Sequence, residues 1–335
     1  MFLLYYGGTS LGALLCRGNY SRLIGAGFVG MAVCCAGIAM TSRLLLLPLF
    51  FLLGICTGVP MSSVSLLAGR NFPARCAAIL TFLNFSWSAG ALMAPLLAAQ
   101  VLVHHTYRAA FAILSLLCAA AAIAAWMTLV DASETIRAPL DKGDFTNLRL
   151  IVLFALLAFL QVGVENTAAA WLSTYALRLG GSGVVLAAAA SAFYWFGFLA
   201  SRGATSAWLL HAPPVRVFRA AVSLALAASV VLAMQPRFAG GMMAMLLLGV
   251  ALAPIYPLVI AGALARVRRT SDSRFVLATA GFGGSVLPWL AGWISASTGS
   301  LRMGFCVMPA ALLLMFFLLP GSSGREKTHV EQAPC

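Results

Sequence analysis

Charged side chains are scarce in this chain of 335 residues. They make up 9% of the sequence, whereas a soluble domain carries about 25%. Acidic residues are the rarer charged class, with eight Asp and Glu against 21 Lys and Arg. Hydrophobic residues make up 62%. A water-soluble fold cannot bury that much apolar surface, so the sequence predicts a membrane protein that lies mostly within the lipid bilayer.

Several motifs of catalysis and cofactor binding are also missing. The eight cysteines form no Cys-x-x-Cys pair, and no His lies at metal-ligand spacing. The sequence has no Gly-rich loop ending in Lys-Ser or Lys-Thr that would bind ATP, and no Ser-His-Asp set. We therefore predict no enzyme, no cofactor and no metal site. The net charge of +13 does not indicate nucleic-acid binding, because the basic residues stand singly or in pairs between apolar runs.

The apolar runs are continuous, long and rich in Ala and Leu. Strands that span a membrane would alternate apolar and polar residues, so these runs predict helices and an all-α fold. Basic residues, Pro and Gly divide the chain into eleven candidate membrane helices. They cover roughly residues 2–16, 23–42, 44–68, 76–103, 107–130, 149–177, 183–201, 215–235, 238–265, 275–297 and 302–320.

One long polar stretch, at residues 131–147, separates the candidate helices into two groups. We predict an N-terminal half at 1–130, a cytoplasmic linker at 131–147, a C-terminal six-helix half at 148–320 and a disordered tail at 321–335. Of the 21 basic residues, 16 fall in one alternating set of loops and five in the other. The positive-inside rule makes the first set cytoplasmic. The C-terminus is then cytoplasmic, and the predicted location is the bacterial inner membrane.

An internal repeat relates the two halves. Residues 12–17 and 197–202 both read Gly-x-Leu-x-small-Arg at the predicted end of a helix. Residues 90–95 resemble 284–288, and residues 54–60 have a looser counterpart at 249–257. The order is the same in both halves, which indicates two parallel six-helix bundles. The N-terminal half shows only five helices, so we expect either a helix before residue 1 or an N-terminus outside the cell.

With these features the chain resembles a major facilitator transporter over almost its whole length. The signature loop of that family reads Gly-x-x-x-Asp-Arg-x-Gly followed by basic residues. Here Gly12, Arg17 and Arg22 match the signature, whereas Cys16 stands at the Asp position and Asn19 at the second Gly position. The resemblance implies a gating role for Gly12, Arg17 and Arg22 and, through the internal repeat, for Gly197 and Arg202. The charge relay that needs the Asp is absent.

A narrower resemblance lies in residues 163–175, which read Gly-Val-Glu-Asn-Thr-Ala-Ala-Ala-Trp-Leu-Ser-Thr-Tyr. This segment is similar to the seventh helix of fucose-permease-like and sodium-dependent-sugar-transporter-like members. The resemblance implies symport of a sugar with a cation.

Glu165 stands out on its own chemistry. It lies 16 residues after Arg149 and 13 before Arg178, which places it near the bilayer midplane at a rise of about 1.5 Å per residue. Low dielectric favours the neutral form of a carboxyl group, so such a group can exchange a proton near neutral pH. An ionisable residue at this depth indicates a functional site by default. The alternative is a neutral Glu that is hydrogen-bonded to a neighbouring helix.

Further candidates for binding a substrate or ion are Gln161, Asn166, Trp171, Asn84 and Tyr256. Gln161 shares a helix face with Glu165, and its amide is either a sugar ligand or an interhelical bond. Trp171 either stacks on a sugar ring or belongs to the interfacial aromatic belt, and Tyr175 is expected in that belt. Asn84 interrupts an apolar run, where an amide needs a partner. Packing is the favoured role of Tyr256, Tyr194 and Trp195.

The sequence thus predicts a monomeric secondary active transporter that moves a small solute, a sugar or related metabolite, by alternating access. Glu165 would couple transport to a proton or, as the alternative, to sodium. A drug or metabolite exporter of the same family is a second possibility. A third is a non-transporting membrane protein or a truncated fragment.

Overall fold

The computed structural model describes residues 2–41, 43–129, 147–179, 184–235, 237–267 and 269–318. Throughout these ranges the regular structure is helical. The α-helices are α1 (Phe2–Leu15), α2 (Tyr20–Met40), α3 (Leu46–Asn71), α4 (Cys76–His104), α5 (Tyr107–Leu129), α6 (Leu148–Arg178), α7 (Val184–Trp208), α8 (Pro214–Met234), α9 (Phe238–Leu252), α10 (Ile255–Arg266), α11 (Thr270–Thr298), α12 (Leu301–Phe305) and α13 (Val307–Leu318).

Nine helical segments in the described ranges are long and apolar enough to cross a membrane. In this group α9 and α10 form one segment, Phe238–Arg266, and α12 and α13 form another, Leu301–Leu318. Helix α1 has only 14 residues, and α7 is not among the nine. The prediction of an all-α, multi-pass membrane protein is therefore confirmed, whereas the count of eleven spans stays a prediction.

Two of the predicted helix boundaries are wrong. The seventh candidate helix continues to Trp208 instead of ending at residue 201, so Arg202 lies within α7. The ninth candidate helix is interrupted after Leu252, because Pro254 and Pro257 cannot donate backbone hydrogen bonds. The predicted linker, apart from Asn147, and the predicted tail lie outside the described residues.

The helices pack as two bundles that meet along several helix pairs. In the N-terminal half, α1 packs on α3 and α2 packs on both α3 and α5. In the C-terminal half, α6 packs along α11, α7 along α9, and α8 on α9 and α13. The halves meet chiefly where α1 contacts α11 and where α4 contacts α7 and α10. This interface brings residues that are distant in sequence around one central space.

Glycines allow the helices within each half to approach backbone to backbone. A Cβ atom on Gly12 would lie 2.4 Å from the carbonyl oxygen of Ile55, and one on Gly197 would lie 2.5 Å from that of Leu246. Small residues at helix interfaces in membranes permit such close packing. The sequence repeat between residues 12–17 and 197–202 therefore corresponds to a repeated contact of α1 with α3 and of α7 with α9.

A second pair of glycines repeats the same geometry from the opposite helix. A Cβ on Gly58 would lie 2.2 Å from the carbonyl oxygen of Thr9, and one on Gly249 would lie 2.2 Å from that of Tyr194. The sequence repeat aligned Gly249 with Gly54. By its contacts, Gly249 corresponds instead to Gly58, which lies four residues further along α3.

We predict that Gly249→Ala destabilises the protein, because the new methyl group has no room against the Tyr194 carbonyl. Overpacking of this kind costs about 1–3 kcal/mol. Thermal unfolding of the purified protein in detergent should show a lower midpoint. Gly90→Ala is the matched control, since a Cβ there meets nothing within 4 Å. An equal midpoint for the two variants would contradict the packing argument.

Candidate functional site

A cavity of about 140 Å³ lies between the two halves. Helices α1, α3 and α4 line it from the N-terminal half, and α6, α7, α10 and α11 line it from the C-terminal half. Its polar lining comprises Tyr5, Tyr6, Thr9, Thr57, Ser62, Asn84, Glu165, Asn166, Arg202 and Tyr256. Trp87 adds an aromatic surface. The cavity is therefore rich in hydroxyl and amide groups and contains one acid and one base.

Four of the residues predicted from the sequence meet in this cavity, namely Asn84, Glu165, Asn166 and Tyr256. They come from three different helices, α4, α6 and α10. Gln161 and Trp171 do not line it. The aromatic and hydroxyl groups of α1 and α3 were not singled out from the sequence, because nothing in their local pattern distinguishes them from packing residues.

Gln161 forms an interhelical bond. Its side chain is fully buried, and Nε2 donates a hydrogen bond to the carbonyl oxygen of Leu252 at 3.2 Å. A carbonyl oxygen can only accept, so this bond fixes which end of the amide faces α9. The Oε1 atom is buried and has no hydrogen-bond partner among the described residues. Gln161 precedes Glu165 by one helical turn, so this free acceptor lies beside the carboxyl-bearing residue.

Trp171 and Tyr175 hold helices together within the C-terminal half. The indole Nε1 of Trp171 donates to the carbonyl oxygen of Pro288 at 3.0 Å, and its ring covers Gly292. The Tyr175 hydroxyl lies 2.9 Å from the carbonyl oxygen of Leu232. Tyr175 is 1% exposed, so its predicted place in a lipid-facing aromatic belt is wrong. The carbonyl groups in the last turn of α8 have no donor within the helix, and the Tyr175 hydroxyl supplies one.

The break between α9 and α10 leaves backbone carbonyl groups without their usual donors. A proline has no N–H, so the carbonyl group four residues before it loses its helical bond. Pro254 and Pro257 release in this way the carbonyl oxygens of Val250 and Ala253. Unpaired buried carbonyl groups are costly in a membrane protein and need other partners.

Two consecutive residues of α7 supply those partners. The hydroxyl of Ser201 donates to the carbonyl oxygen of Val250 at 2.7 Å. The Nε atom of Arg202 donates to the carbonyl oxygen of Ala253 at 3.1 Å. Side chains of α7 therefore satisfy both carbonyl groups at the helix break. The bond to Ala253 also fixes the position of the Arg202 guanidinium beside the cavity.

Arg202 also crosses to the N-terminal half. Its Nη1 atom lies 2.9 Å from the carbonyl oxygen of Asn84 and 2.7 Å from Oγ of Ser88, both on α4. The guanidinium carbon stands 4.3 Å from the ring centre of Phe198 and 5.4 Å from that of Trp87, within the range of cation–π attraction. Only 1% of the residue is exposed. Arg202 is thus a buried charge that contacts both halves.

Glu165 provides the nearby negative charge. It is 7% exposed and lines the same cavity as Arg202. Within the described ranges the acidic residues are Glu165 and Asp272, and Asp272 lies in the first turn of α11. Burying a charged group is costly, so an acid and a base in one cavity are unusual features of a membrane helix bundle.

A hydrogen bond between the halves borders the same cavity. The Tyr6 hydroxyl of α1 donates to Oδ1 of Asn166 on α6, one residue after Glu165. The Asn166 Nδ2 atom donates to the carbonyl oxygen of Val162 in its own helix at 2.8 Å, which fixes the amide orientation. Groups on both sides of the interface thus contact one another directly next to the acid.

A family model described as Major Facilitator Superfamily matches residues 3–272. The chain belongs to this superfamily. The fold agrees with solved major facilitator structures: it is similar to the transporter FucP in the outward conformation, with a TM-score of 0.75, 17% identity, and coverage of 94% of this chain and 87% of that one. No curated protein sequence matches the chain.

Two further structures show the same likeness. One is the fucose:proton symporter FucP of E. coli, with a TM-score of 0.73, 16% identity, and coverage of 94% of this chain and 88% of that one. The other is the human organic anion transporter MFSD10 (TETRAN), with a TM-score of 0.74, 17% identity, and coverage of 95% and 81%. Membership in this superfamily makes the protein a membrane transporter and not an enzyme, as predicted.

The signature segment of the superfamily joins α1 to α2. Gly12 packs against α3, whereas Arg17 and Arg22 are exposed. Cys16, at the family's Asp position, is buried with its Sγ 3.1 Å from Oγ of Ser63. Its carbonyl oxygen accepts a hydrogen bond from Nη1 of Arg274 on α11 at 3.3 Å. A contact between the halves therefore exists at this end without the Asp.

We predict that the Tyr6–Asn166 bond contributes about 0.5–1.5 kcal/mol to stability. A double-mutant cycle of Tyr6→Phe and Asn166→Leu, followed by thermal unfolding, should give a coupling energy of that size. Tyr5→Phe combined with Asn166→Leu is the control and should be additive, because the hydroxyl that donates to Asn166 among the described residues belongs to Tyr6. Additivity in the Tyr6 cycle would refute the bond.

Proposed function

We propose that this protein is a secondary transporter that carries a sugar or a similar polyhydroxylated solute together with a proton. The solute would bind in the cavity between the halves, and the halves would expose it to each side of the membrane in turn. The observation that carries the proposal is the position of Glu165, which faces a polar cavity at the interface of two helical bundles. Substrate and coupling-ion sites in such transporters lie at this depth and at this interface.

The chemistry of the site favours a proton over a sodium ion. A sodium ion bound at Glu165 would share the cavity with the guanidinium group of Arg202, which repels it. A proton binds covalently to the carboxyl group and cancels its charge without an additional ligand shell. Gln161 lies one helical turn before Glu165, and its free Oε1 atom could accept a hydrogen bond from the protonated carboxyl group of Glu165. These arrangements support Glu165 as the proton carrier.

The lining also favours a solute without net charge. Glu165 and Arg202 balance each other, and the remaining polar groups are hydroxyls and amides that can each pair with a sugar hydroxyl. Trp87 and Tyr256 present aromatic rings, on which the C–H face of a sugar can pack. A likeness in fold to a fucose:proton symporter agrees with this solute class.

A second candidate solute is an organic anion. Arg202 lines the cavity, and an anionic group could replace Glu165 as the partner of its guanidinium once Glu165 is protonated. The fold is also similar to that of the human organic anion transporter. An exporter of drugs or metabolites would use the same cavity in the opposite direction. For the non-transporting alternative, the test is whether reconstituted protein accumulates any solute.

We predict that Glu165→Gln abolishes pH-dependent, concentrative sugar uptake in proteoliposomes, because the amide cannot release a proton. Equilibrium exchange of sugar across the membrane should persist, since the cavity keeps its shape. Asp272→Asn is the matched control: it changes the other described acid in the same way, away from the cavity, and should accumulate sugar like wild type. Wild-type accumulation by Glu165→Gln would disprove the coupling role.

A further inference from the structure

Helices α4 and α11 occupy corresponding places in the two halves. Each of them crosses to the opposite half, where α4 packs on α7 and α11 packs on α1. They also share a sequence pattern, because residues 90–95 of α4 and 283–288 of α11 both read Gly-x-x-x-x-Pro. This pattern sets a register in which Gly90 corresponds to Gly283.

The contacts between the halves support this register. On α4, Ser88 accepts a hydrogen bond from Arg202 of α7. Its counterpart on α11 is Gly281, where a Cβ would meet the side chain of Ser10 on α1. Because α1 and α7 are themselves counterparts, the same face of α4 and of α11 crosses to the opposite half. The other faces of the two helices can therefore be compared residue by residue.

The two helices differ in how they pack within their own halves. Helix α11 packs on α6 more extensively than on any other helix. Helix α4 packs mainly on α7 and α10 of the opposite half and only lightly on α3 and α5 of its own half. The described part of the N-terminal half contains no counterpart of α6. The face of α4 that corresponds to the α6-facing side of α11 therefore has no helix packed along it in the described residues.

On α11, the side that faces α6 is a stripe of four buried residues at spacings of four, three and four, namely Val276, Ala280, Gly283 and Leu287. A Cβ on Gly283 would overlap the carbonyl oxygen of Phe159, and the Leu287 side chain covers Gly163. Both of these partners belong to α6. Small residues in such a stripe let two membrane helices approach closely.

The corresponding residues of α4, which we call the α4 stripe, are Leu83, Trp87, Gly90 and Ala94. All four are exposed. Leu83 is 37% exposed where Val276 is 1% exposed, and Trp87 is 43% exposed where Ala280 is 3% exposed. A Cβ on Gly90 would meet nothing within 4 Å. The α4 stripe thus has the spacing and the close-approach glycine of a helix contact, without the contact.

The lipid-facing side of α4 is a different surface. Phe82 and Leu96 of α4 correspond to Phe275 and Trp289 of α11, and all four are exposed large side chains. This side therefore faces lipid in both halves. The α4 stripe is distinct from it, since its counterparts on α11 are buried.

We propose that the α4 stripe is the docking surface of one apolar membrane-spanning helix, which packs on α4 as α6 packs on α11. Helix α6 ends at Arg178 and α7 begins at Val184. Since α1 is the counterpart of α7, the docked helix precedes α1 and is joined to its outer end. It runs from the predicted cytoplasmic side outward. This inference does not depend on the solute or on proton coupling.

The size of the stripe residues indicates which side chains the docked helix presents. On α11 the large Leu287 covers Gly163 of α6. Its counterpart on α4 is the smaller Ala94, so the docked helix carries a residue larger than glycine at that level to fill the space. At the level of Gly90 the two backbones can approach each other, as they do at Gly283.

The neighbouring cavity favours a protein helix over lipid chains as the occupant. Trp87 belongs both to the α4 stripe and to the cavity lining. From the N-terminal half, Thr9, Thr57 and Ser62 line the same cavity. Acyl chains that covered the stripe would meet these polar groups, and hydrocarbon offers such groups no hydrogen bonds. A helix on the stripe would instead form the cavity wall opposite α6.

Photo-cross-linking identifies the occupant. Two neighbouring residues make a matched pair, because Leu83 lies in the α4 stripe and Phe82 lies on the lipid-facing side. Each is replaced by p-benzoylphenylalanine in the protein made from its own gene in intact cells, and cross-linked peptides are identified by mass spectrometry. Position 83 should join an apolar span that precedes α1 in the same polypeptide, whereas position 82 should join lipid. Lipid alone at position 83, a second copy of residues 1–335, or another polypeptide would each overturn the proposal.

A stability measurement tests the fit of a helix with a defined probe. The probe is a copy of residues 147–183, which contain the repeat counterpart of the docked helix, fused before Met1 of the full chain. The copy carries Gln161→Leu and Glu165→Leu, so that it buries no unpaired polar group. The fusion should raise the midpoint of thermal unfolding in detergent by several degrees. An unchanged midpoint would count against the docking surface.

Two variants locate the probe on α4. Gly90→Leu should remove the rise in midpoint, because the new side chain keeps the backbones apart. Leu96→Trp should keep the rise, since the corresponding position of α11 already holds the exposed Trp289. Without the probe, both variants should unfold like wild type, as nothing packs on either position. A rise that survives Gly90→Leu would show that the probe stabilises the protein from another surface, and it would overturn the proposal.

Discussion

The buried guanidinium group of Arg202, which donates hydrogen bonds to both halves of the protein, is the interaction on which the site depends. A charged group is costly in this place, because lipid offers no solvation. Glu165 supplies an acid in the same cavity. The cavity around Arg202 and Glu165 is polar and contains one acid and one base. We propose that it binds a neutral solute.

The position of Arg202 follows from a break in the helical hydrogen bonds of a neighbouring segment. Two prolines interrupt the segment 238–266 and leave carbonyl groups free, which accept hydrogen bonds from Ser201 and Arg202 of α7. A continuous helix would offer no acceptors at this point, and the arginine would have no fixed place. Glycines set the distances around the break, since Gly197 and Gly249 let α7 and α9 touch along their backbones. The helix break and the close packing together hold the guanidinium against α4.

The all-helical membrane fold could be predicted from the sequence because it depends on local composition. Asn84, Asn166 and Tyr256 could be proposed for a similar reason, as polar or aromatic groups within apolar runs. The place of Arg202 could not, because its acceptors lie 51 to 118 residues away in the chain. Read locally, Gly-x-Leu-x-small-Arg is typical of a helix end. The helical wheel placed Gln161 on the face of Glu165. It could not show that carbonyl groups of neighbouring helices accept hydrogen bonds from Gln161 and Trp171.

The central claim is that a neutral solute and a proton move together through this cavity. Its most direct test is the current evoked when reconstituted wild-type protein on a solid-supported membrane receives a pulse of solute at constant pH. We expect sugars to evoke a positive current in the direction of solute movement, and this current should not require sodium. Lipophilic cations and organic anions should evoke no current other than that carried by the charge of the solute itself. Sugar binding without current, or a current that requires sodium, would contradict it.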